Sequence, residues 1–172
     1  MDIYLKSLNN SHKEELHMIY KAYCNAFPED ERRNEFQFWE LLENPAVYIN
    51  SIEDDKEKFG YIIIWQLSSA VFVEHFEVFP KFRGKAIGGK LLSYLLDKFP
   101  IVILESEPDF FNITAERRIN FYKRNGFIIL DKDYIQPAYS ENKKPLNLYL
   151  MGNKIPENLK VLKREIKEIV YR

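Results

Sequence analysis

Between Val78 and Leu92 a strand-like run ends and a helix-like run begins within a few residues, and three glycines fall at the junction. The segment reads Val78-Phe79-Pro80-Lys81-Phe82-Arg83-Gly84-Lys85-Ala86-Ile87-Gly88-Gly89-Lys90-Leu91-Leu92. Upstream, Ala70 to Val78 is rich in β-branched and aromatic residues, and Pro80 ends it. Downstream, Ile87, Leu91, Leu92, Leu95, Leu96 and Phe99 form one apolar stripe at helical spacing, closed by Pro100. The first N–H groups of a helix lack intrahelical partners, and the helix dipole places partial positive charge there. Gly84, Gly88 and Gly89 allow close approach to those donors, while Arg83, Lys85 and Lys90 add formal charge. Such a junction suits a pyrophosphate. The competing reading is a water-capped helix end with a solvated basic face, in which the two helical glycines, each costing ~1 kcal/mol relative to alanine, serve close packing. The pattern is neither a Walker A loop, for lack of Gly-Lys-Ser/Thr, nor the dinucleotide G-x-G-x-x-G.

The rest of the chain predicts what surrounds this junction. Ile3 to Ser7 reads as a strand. Behind an Asn10-Ser11 cap, Leu16, Ile19, Tyr20 and Tyr23 recur at helical spacing. The charged stretch Pro28 to Arg33 leads into a second helix through Phe36, Phe38, Trp39, Leu41 and Leu42, ended by Asn44-Pro45. Ala46–Ser51, Phe59–Gln66 and Ala70–Val78 form a strand meander. After the helix from about Ala86 to Phe99, Ile101–Leu104 is apolar throughout, as a strand covered on both faces should be. A helix over Ala115–Asn125 is capped by Gly126. Phe127–Leu130 and Leu146–Met151 read as strands, and Leu159–Val170 as an amphipathic helix that covers its own sheet or packs on a second subunit in a homodimer. The expectation is an α/β or α+β sandwich around one mixed sheet, in a single domain over residues 1–172.

Charge and cysteine count narrow the partners. Twenty-five Lys and Arg face 26 Asp and Glu, so no global basic field exists to grip nucleic acid, and none is expected as a partner. Cys24 is the one cysteine, which excludes an intrachain disulfide and a cysteine-rich metal site. His12 and His17 are five residues apart and no H-E-x-x-H occurs, so no metal is expected. The first residues lack the apolar core of a signal peptide, and no run reaches the ~18 apolar residues needed to span a membrane. These features predict a cytoplasmic protein without membrane contact. Its wealth of Lys, Asn, Ile and Tyr points to an AT-rich bacterial genome.

Arg83-Gly84-Lys85-Ala86-Ile87-Gly88, followed by Leu91-Leu92, resembles the cofactor motif Q/R-x-x-G-x-G/A of the GNAT N-acetyltransferase superfamily, with Lys81, Gly84 and Ala86 at its defining positions. Ile119-Asn120-Phe121-Tyr122-Lys123-Arg124-Asn125-Gly126-Phe127 resembles the family's later FY-x-x-x-GF helix and turn. The order of elements agrees over nearly the whole chain. The resemblance implies a mixed, mostly antiparallel sheet flanked by helices, with two splayed parallel strands, Val71–Val78 and Ile101–Glu105. It implies acetyl-CoA as co-substrate, with pantetheine bonded to backbone near Phe76 to Val78. Pyrophosphate would then rest on N–H groups of Arg83, Gly84, Lys85, Ala86, Ile87, Gly88 and Gly89. It also implies that Tyr122 protonates the departing thiolate. Many members carry an asparagine seven residues before that tyrosine; here the residue is Ala115.

Attack of an amine on a thioester needs a proton acceptor with a pKa near working pH. With regular alternation, Glu74 shares a face with Phe72, Phe76 and Val78, where desolvation would raise its pKa towards that range. His75 has the natural pKa but then points the opposite way, beside Val71, Val73 and Glu77, where a structural role competes. Glu105 and Glu107 end a strand at a place where α/β sheets open to ligands; exposed strand-end charge is the alternative. These carboxylates favour a cationic small-molecule or peptide amine as acceptor. Tyr134-Ile135-Gln136-Pro137-Ala138-Tyr139 resembles a Gln-Pro-x-Tyr stretch of some small bacterial members, and reads as pocket wall or as a proline-ended edge strand. Two other functions compete: a non-catalytic acyl-CoA-binding or sensing module, and a nucleotide-phosphate enzyme using the same loop.

Overall fold

The computed structural model describes residues 2–172. Seven strands, β1 (Tyr4–Ser7), β2 (Val47–Glu53), β3 (Lys58–Gln66), β4 (Val71–Val78), β5 (Val102–Ser106), β6 (Ile128–Gln136) and β7 (Leu146–Gly152), form one sheet in the order β1-β2-β3-β4-β5-β7-β6. Every neighbouring pair is antiparallel except β4 with β5. The helices are α1 (Lys13–Ala26), α2 (Glu35–Glu40), α3 (Ile87–Lys98), α4 (Ile113–Arg124) and α5 (Leu159–Glu165), which widens into a π-helical turn over Ile166–Val170. Among the described residues no helix is long and apolar enough to cross a membrane.

The sheet separates two cores. On one face Leu16, Ile19 and Phe38 of the N-terminal helices, with Leu162, Ile166 and Val170, pack on Tyr61, Ile63, Trp65 and Phe72. On the other, Ile87, Leu91, Leu92, Leu95 and Ile119 of α3 and α4 pack on Ile62, Ile64, Val71, Val73, Val102 and Leu104. The helix after Leu159 therefore covers its own sheet, the first of the two roles its sequence allowed. Val102, Ile103 and Leu104 are covered on both sides, which explains their unbroken apolar run.

Three elements depart from the sequence expectation. β6 continues six residues past Leu130, because its register shifts around Asp131 and again before Tyr134. Those irregularities break the alternation by which a strand is recognised. β6 lies at the sheet edge and stops at Gln136, immediately before Pro137, so the edge-strand reading of that stretch holds. α4 starts at Ile113, two residues early, where the Asn112 side chain accepts a hydrogen bond from the Ala115 N–H at 2.8 Å.

The third departure is on β4. Ile64 pairs with Val73 and Ile63 with His75, leaving Glu74 as an extra residue in a bulge. The bulge re-phases the strand. Phe72 and Glu74 face Trp65 as alternation requires, but His75 and Glu77 now follow on that side, while Phe76 and Val78 join the face of Val71 and Val73. The expected partition, with Glu74 beside Phe76 and Val78 and His75 opposite, is thereby corrected.

Candidate active site

β4 and β5 pair through Val71–Val102, Phe72–Ile103 and Val73–Leu104, then part. A cleft of about 1030 Å³ opens from the point of divergence. Its walls are the second half of β4, the loop from Phe82 to Gly89, the end of β5 from Leu104 to Glu107, and the inner face of α4.

At the loop, Gly84 has φ of 77° with no heavy atom within 4 Å of a would-be Cβ. A side chain there would meet backbone strain and project into the open space. Ala86 also has a positive φ, 61°, and caps α3. The first intrahelical bond of α3 runs from the Lys90 N–H to the Ala86 carbonyl at 3.1 Å. The N–H groups of Ile87, Gly88 and Gly89 thus form the first-turn set that an anion can take. A Cβ on Gly88 would stand 3.1 Å from the Phe121 ring, so this glycine lets α4 close against the loop.

The expected donor set needs trimming. The Arg83 N–H bonds the Pro80 carbonyl at 3.2 Å, and the Lys85 N–H reaches the Phe82 carbonyl at 3.4 Å. The Arg83 side chain folds back on the Val78 carbonyl (3.1 Å) and on Glu77 (3.2 Å). Lys85 lies over the Phe82 ring, 5.3 Å from its centroid, and does not line the cleft. Phe76 and Val78 do line it, on the β4 edge left without a strand neighbour.

Tyr122, 6% exposed, reaches the cleft from α4, packed against Phe76, Phe121 and Phe127. Burial pushes its hydroxyl up to about 12, so it holds its proton at neutral pH. Ala115 is fully buried and offers the cleft no polar group.

The carboxylates divide sharply. Desolvation would raise Glu74, as expected from the sequence, but the charge of Arg33 and the hydrogen bonds of Trp65 and Tyr139 outweigh it and hold its pKa below the ordinary value. Arg33 Nε donates to Glu74 Oε1 at 2.9 Å, Tyr139 OH to the same oxygen at 2.8 Å, and Trp65 Nε1 to Oε2 at 2.6 Å. Glu74 is a buried, fully bonded anion, and the expected rise in its pKa does not occur. His75 donates from Nε2 to the Glu31 carbonyl at 2.8 Å, and burial lowers its pKa against the pull of Glu74. It is a neutral imidazole wedged between Tyr23 and Phe27, with Nδ1 unpartnered.

Glu105 is different. It lies where the strands have parted and accepts from Tyr134 OH at 2.5 Å and Tyr171 OH at 2.6 Å. Desolvation lifts its pKa, and the two phenols only partly offset that, leaving it at about 7. Glu107 pairs with Arg118 at 3.1 Å. Glu31, from the turn Glu29–Glu31, also lines the cleft; burial and then the nearby Glu107 raise its pKa. Of the sequence candidates, Glu105, Glu107, Tyr122, His75 and Glu74 all border this cleft. Arg33, Glu31 and Tyr171 were missed, whereas Tyr134 belongs to the stretch read as pocket wall or edge strand, and that stretch does both: it forms the edge strand and brings Gln136 to the cleft. Arg33 sits in a charged run that reads as solvated surface yet is 5% exposed. Tyr171 carries no local signal at all.

Comparison with known proteins agrees with this geometry. Residues 13–127 match the family described as "Acetyltransferase (GNAT) family". A Bacillus subtilis (strain 168) protein named "Putative acetyltransferase YjbC" is 30% identical over 110 residues, 63% of this chain and 55% of that protein, so the match spans just over half of the relative's length. A structure titled as a GNAT-family putative acetyltransferase of Bacteroides thetaiotaomicron superposes with a TM-score of 0.90 at 28% identity, covering 98% of each chain. A Thermoplasma acidophilum PaiA N-acetyltransferase solved in complex with coenzyme A shares the fold, with a TM-score of 0.59 at 15% identity over 90% of this chain and 99% of that one. The chain belongs to the GNAT acetyltransferase family. An acetyl donor of the acetyl-CoA kind is what membership in an acetyltransferase family implies. The open space at Gly84, the first-turn donors of α3 and the unpaired edge of β4 are a fit for its pyrophosphate and pantetheine.

Proposed function

We propose that this protein transfers the acetyl group of acetyl-CoA to a primary amine by direct attack, with Glu105 as proton acceptor and Tyr122 as proton donor. The N–H groups of Ile87, Gly88 and Gly89 would hold the pyrophosphate, and the free β4 edge at Phe76 to Val78 the pantetheine amides. The thioester then lies at the throat where the strands part. The amine nitrogen forms a bond to the acetyl carbon, the carbon–sulfur bond breaks, and the sulfur takes the Tyr122 proton. The proton lost by nitrogen goes to Glu105, and solvent exchange restores both groups. Glu74 does not fit the proton-acceptor role, because the buried Arg33 guanidinium and two further donors, Trp65 and Tyr139, keep it ionised. We assign it instead to positioning Arg33 and Tyr139 beneath the site.

The observation that carries this reading is Glu105: a desolvated carboxylate at the strand divergence with a pKa near 7. A group of that pKa balances availability as a base against driving force for proton transfer. Glu105→Gln should lower kcat by about 100- to 10,000-fold while acetyl-CoA still binds by calorimetry. Wild-type turnover in the variant would remove Glu105 from the reaction. Acetyl-CoA binding with no transfer by the wild type to any amine would indicate the binding-only module.

A further inference from the structure

Beyond Glu105 the cleft runs on to Glu31, Glu107, Phe27, Leu148 and Gln136. Gln136 closes β6 and is 4% exposed, yet its Nε2 has no hydrogen-bond partner. Its neighbours on the same stretch are committed: Tyr134 bonds Glu105 and Tyr139 bonds Glu74. A buried amide donor left unpartnered carries a desolvation cost, and folded proteins satisfy such groups with water or with a ligand. The carboxamide therefore asks for an oxygen from the acceptor. The three carboxylates at the same end ask for a cation. Arg117, Arg118 and Arg124 also line the cleft from α4; Arg118 is taken up by Glu107, and a carboxylate on the ligand placed beside Glu31 and Glu105 would be repelled by both. Phe27 and Leu148 supply an apolar wall. Phe110, Phe111 and Ile113, in the segment just past Glu107, are 79%, 67% and 61% exposed. An acceptor that satisfies all four demands has an ammonium group, a nearby uncharged oxygen, no carboxylate close by and apolar substituents.

We infer that the acceptor is the free amino end of a peptide, its ammonium drawn in by Glu31, Glu105 and Glu107 and its first carbonyl oxygen bonded by the Gln136 carboxamide. This rests on the N-acetyltransfer reading above. Polyamines offer cations without the oxygen, and free amino acids offer the oxygen as a charged carboxylate. Gln136 is then a specificity-determining residue, and the exposed Phe110–Ile113 segment is where the peptide's following side chains would lie.

The test is steady-state kinetics of the full chain with acetyl-CoA and three acceptors: a tetrapeptide amide with an apolar second residue, 1,5-diaminopentane and alanine. The wild type should prefer the tetrapeptide amide in kcat/KM by at least about tenfold over the other two. In Gln136→Leu the ratio of peptide to diamine kcat/KM should fall by about 5- to 150-fold, with the change in the peptide KM. Gln136→Met, of similar length, should behave alike. Neither variant should lower Tm, since each removes an unsatisfied donor, and a scaffolding role for Gln136 would not move the ratio. A wild type that acetylates the diamine as well as the peptide, or a ratio unmoved in both variants, overturns the inference and leaves amine acetylation standing. Failure to acetylate any of the three, with acetyl-CoA bound, overturns the peptide inference, and only the same silence across a wider panel of amines overturns acetyl transfer as well.

Discussion

The two halves of the cleft are built by opposite means. The half assigned to acetyl-CoA is contiguous: residues 82–89 turn, cap α3 and present backbone donors within a few positions of one another. The half that handles the proton is assembled from afar. Arg33 meets Glu74 across 41 residues, Tyr139 meets Glu74 across 65, and Tyr134 and Tyr171 reach Glu105 across 29 and 66. Backbone recognition needs glycines and a helix start, whatever the rest of the chain does. A side-chain network needs only that distant residues arrive together, and any tyrosine can serve if the fold delivers it.

The contrast can be attacked at four points. The largest effect is expected from Arg33→Met, which leaves the Glu74 carboxylate buried without its guanidinium. Removing one partner of a buried pair should destabilise by about 3–5 kcal/mol, read as a lowered urea midpoint. A loss under ~1 kcal/mol would mean that the distant network is not a structural unit. Next, Tyr122→Phe should cut kcat about 100-fold without altering acetyl-CoA affinity. An equal loss of affinity would make Tyr122 a wall of the cofactor half. Third, Tyr171→Phe removes a donor that favours ionised Glu105, so the Glu105 pKa must rise. The acid limb of the kcat/KM profile should move to higher pH by about 0.5–1 unit. A downward shift would contradict the assignment. The smallest effect is local: Ala86→Gly relieves a left-handed alanine and should stabilise by about 0.5–1 kcal/mol. Loss of stability there would show that the alanine methyl packs usefully.

Legibility from sequence follows the same division. The junction at Arg83–Gly89, the stripe of α3 and the unbroken apolar run of β5 were all readable, because each is a local pattern with one physical cause. Even there, the Arg83 and Lys85 N–H groups were wrongly counted as free, since turn bonds to Pro80 and Phe82 depend on loop conformation. Glu74 shows the deeper limit. Alternation gave its face correctly, but a one-residue bulge misassigned everything after it on β4. Its burial was foreseen and its pKa direction was not, because the sign depended on Arg33, a residue that reads as surface charge. Gln136 drew notice only through its setting beside Pro137 and Tyr139; its unpartnered amide needed the fold to be seen.

The π-helical turn at Ile166–Val170 has a consequence in time. It carries Val170, whose carbonyl accepts from Arg33 at 2.5 Å, and delivers the Tyr171 hydroxyl to Glu105. Chains emerge from the ribosome at roughly 5–20 residues per second. The loop and helices that cradle the donor are therefore made, and free to fold, before the phenol that completes Glu105 exists. The gap from Glu105 to Tyr171 is 66 residues, or roughly 3–13 seconds of synthesis. Through that interval Glu105 exists without its second phenol, so the last hydrogen bond to the base is added after every other wall of the cleft has been made.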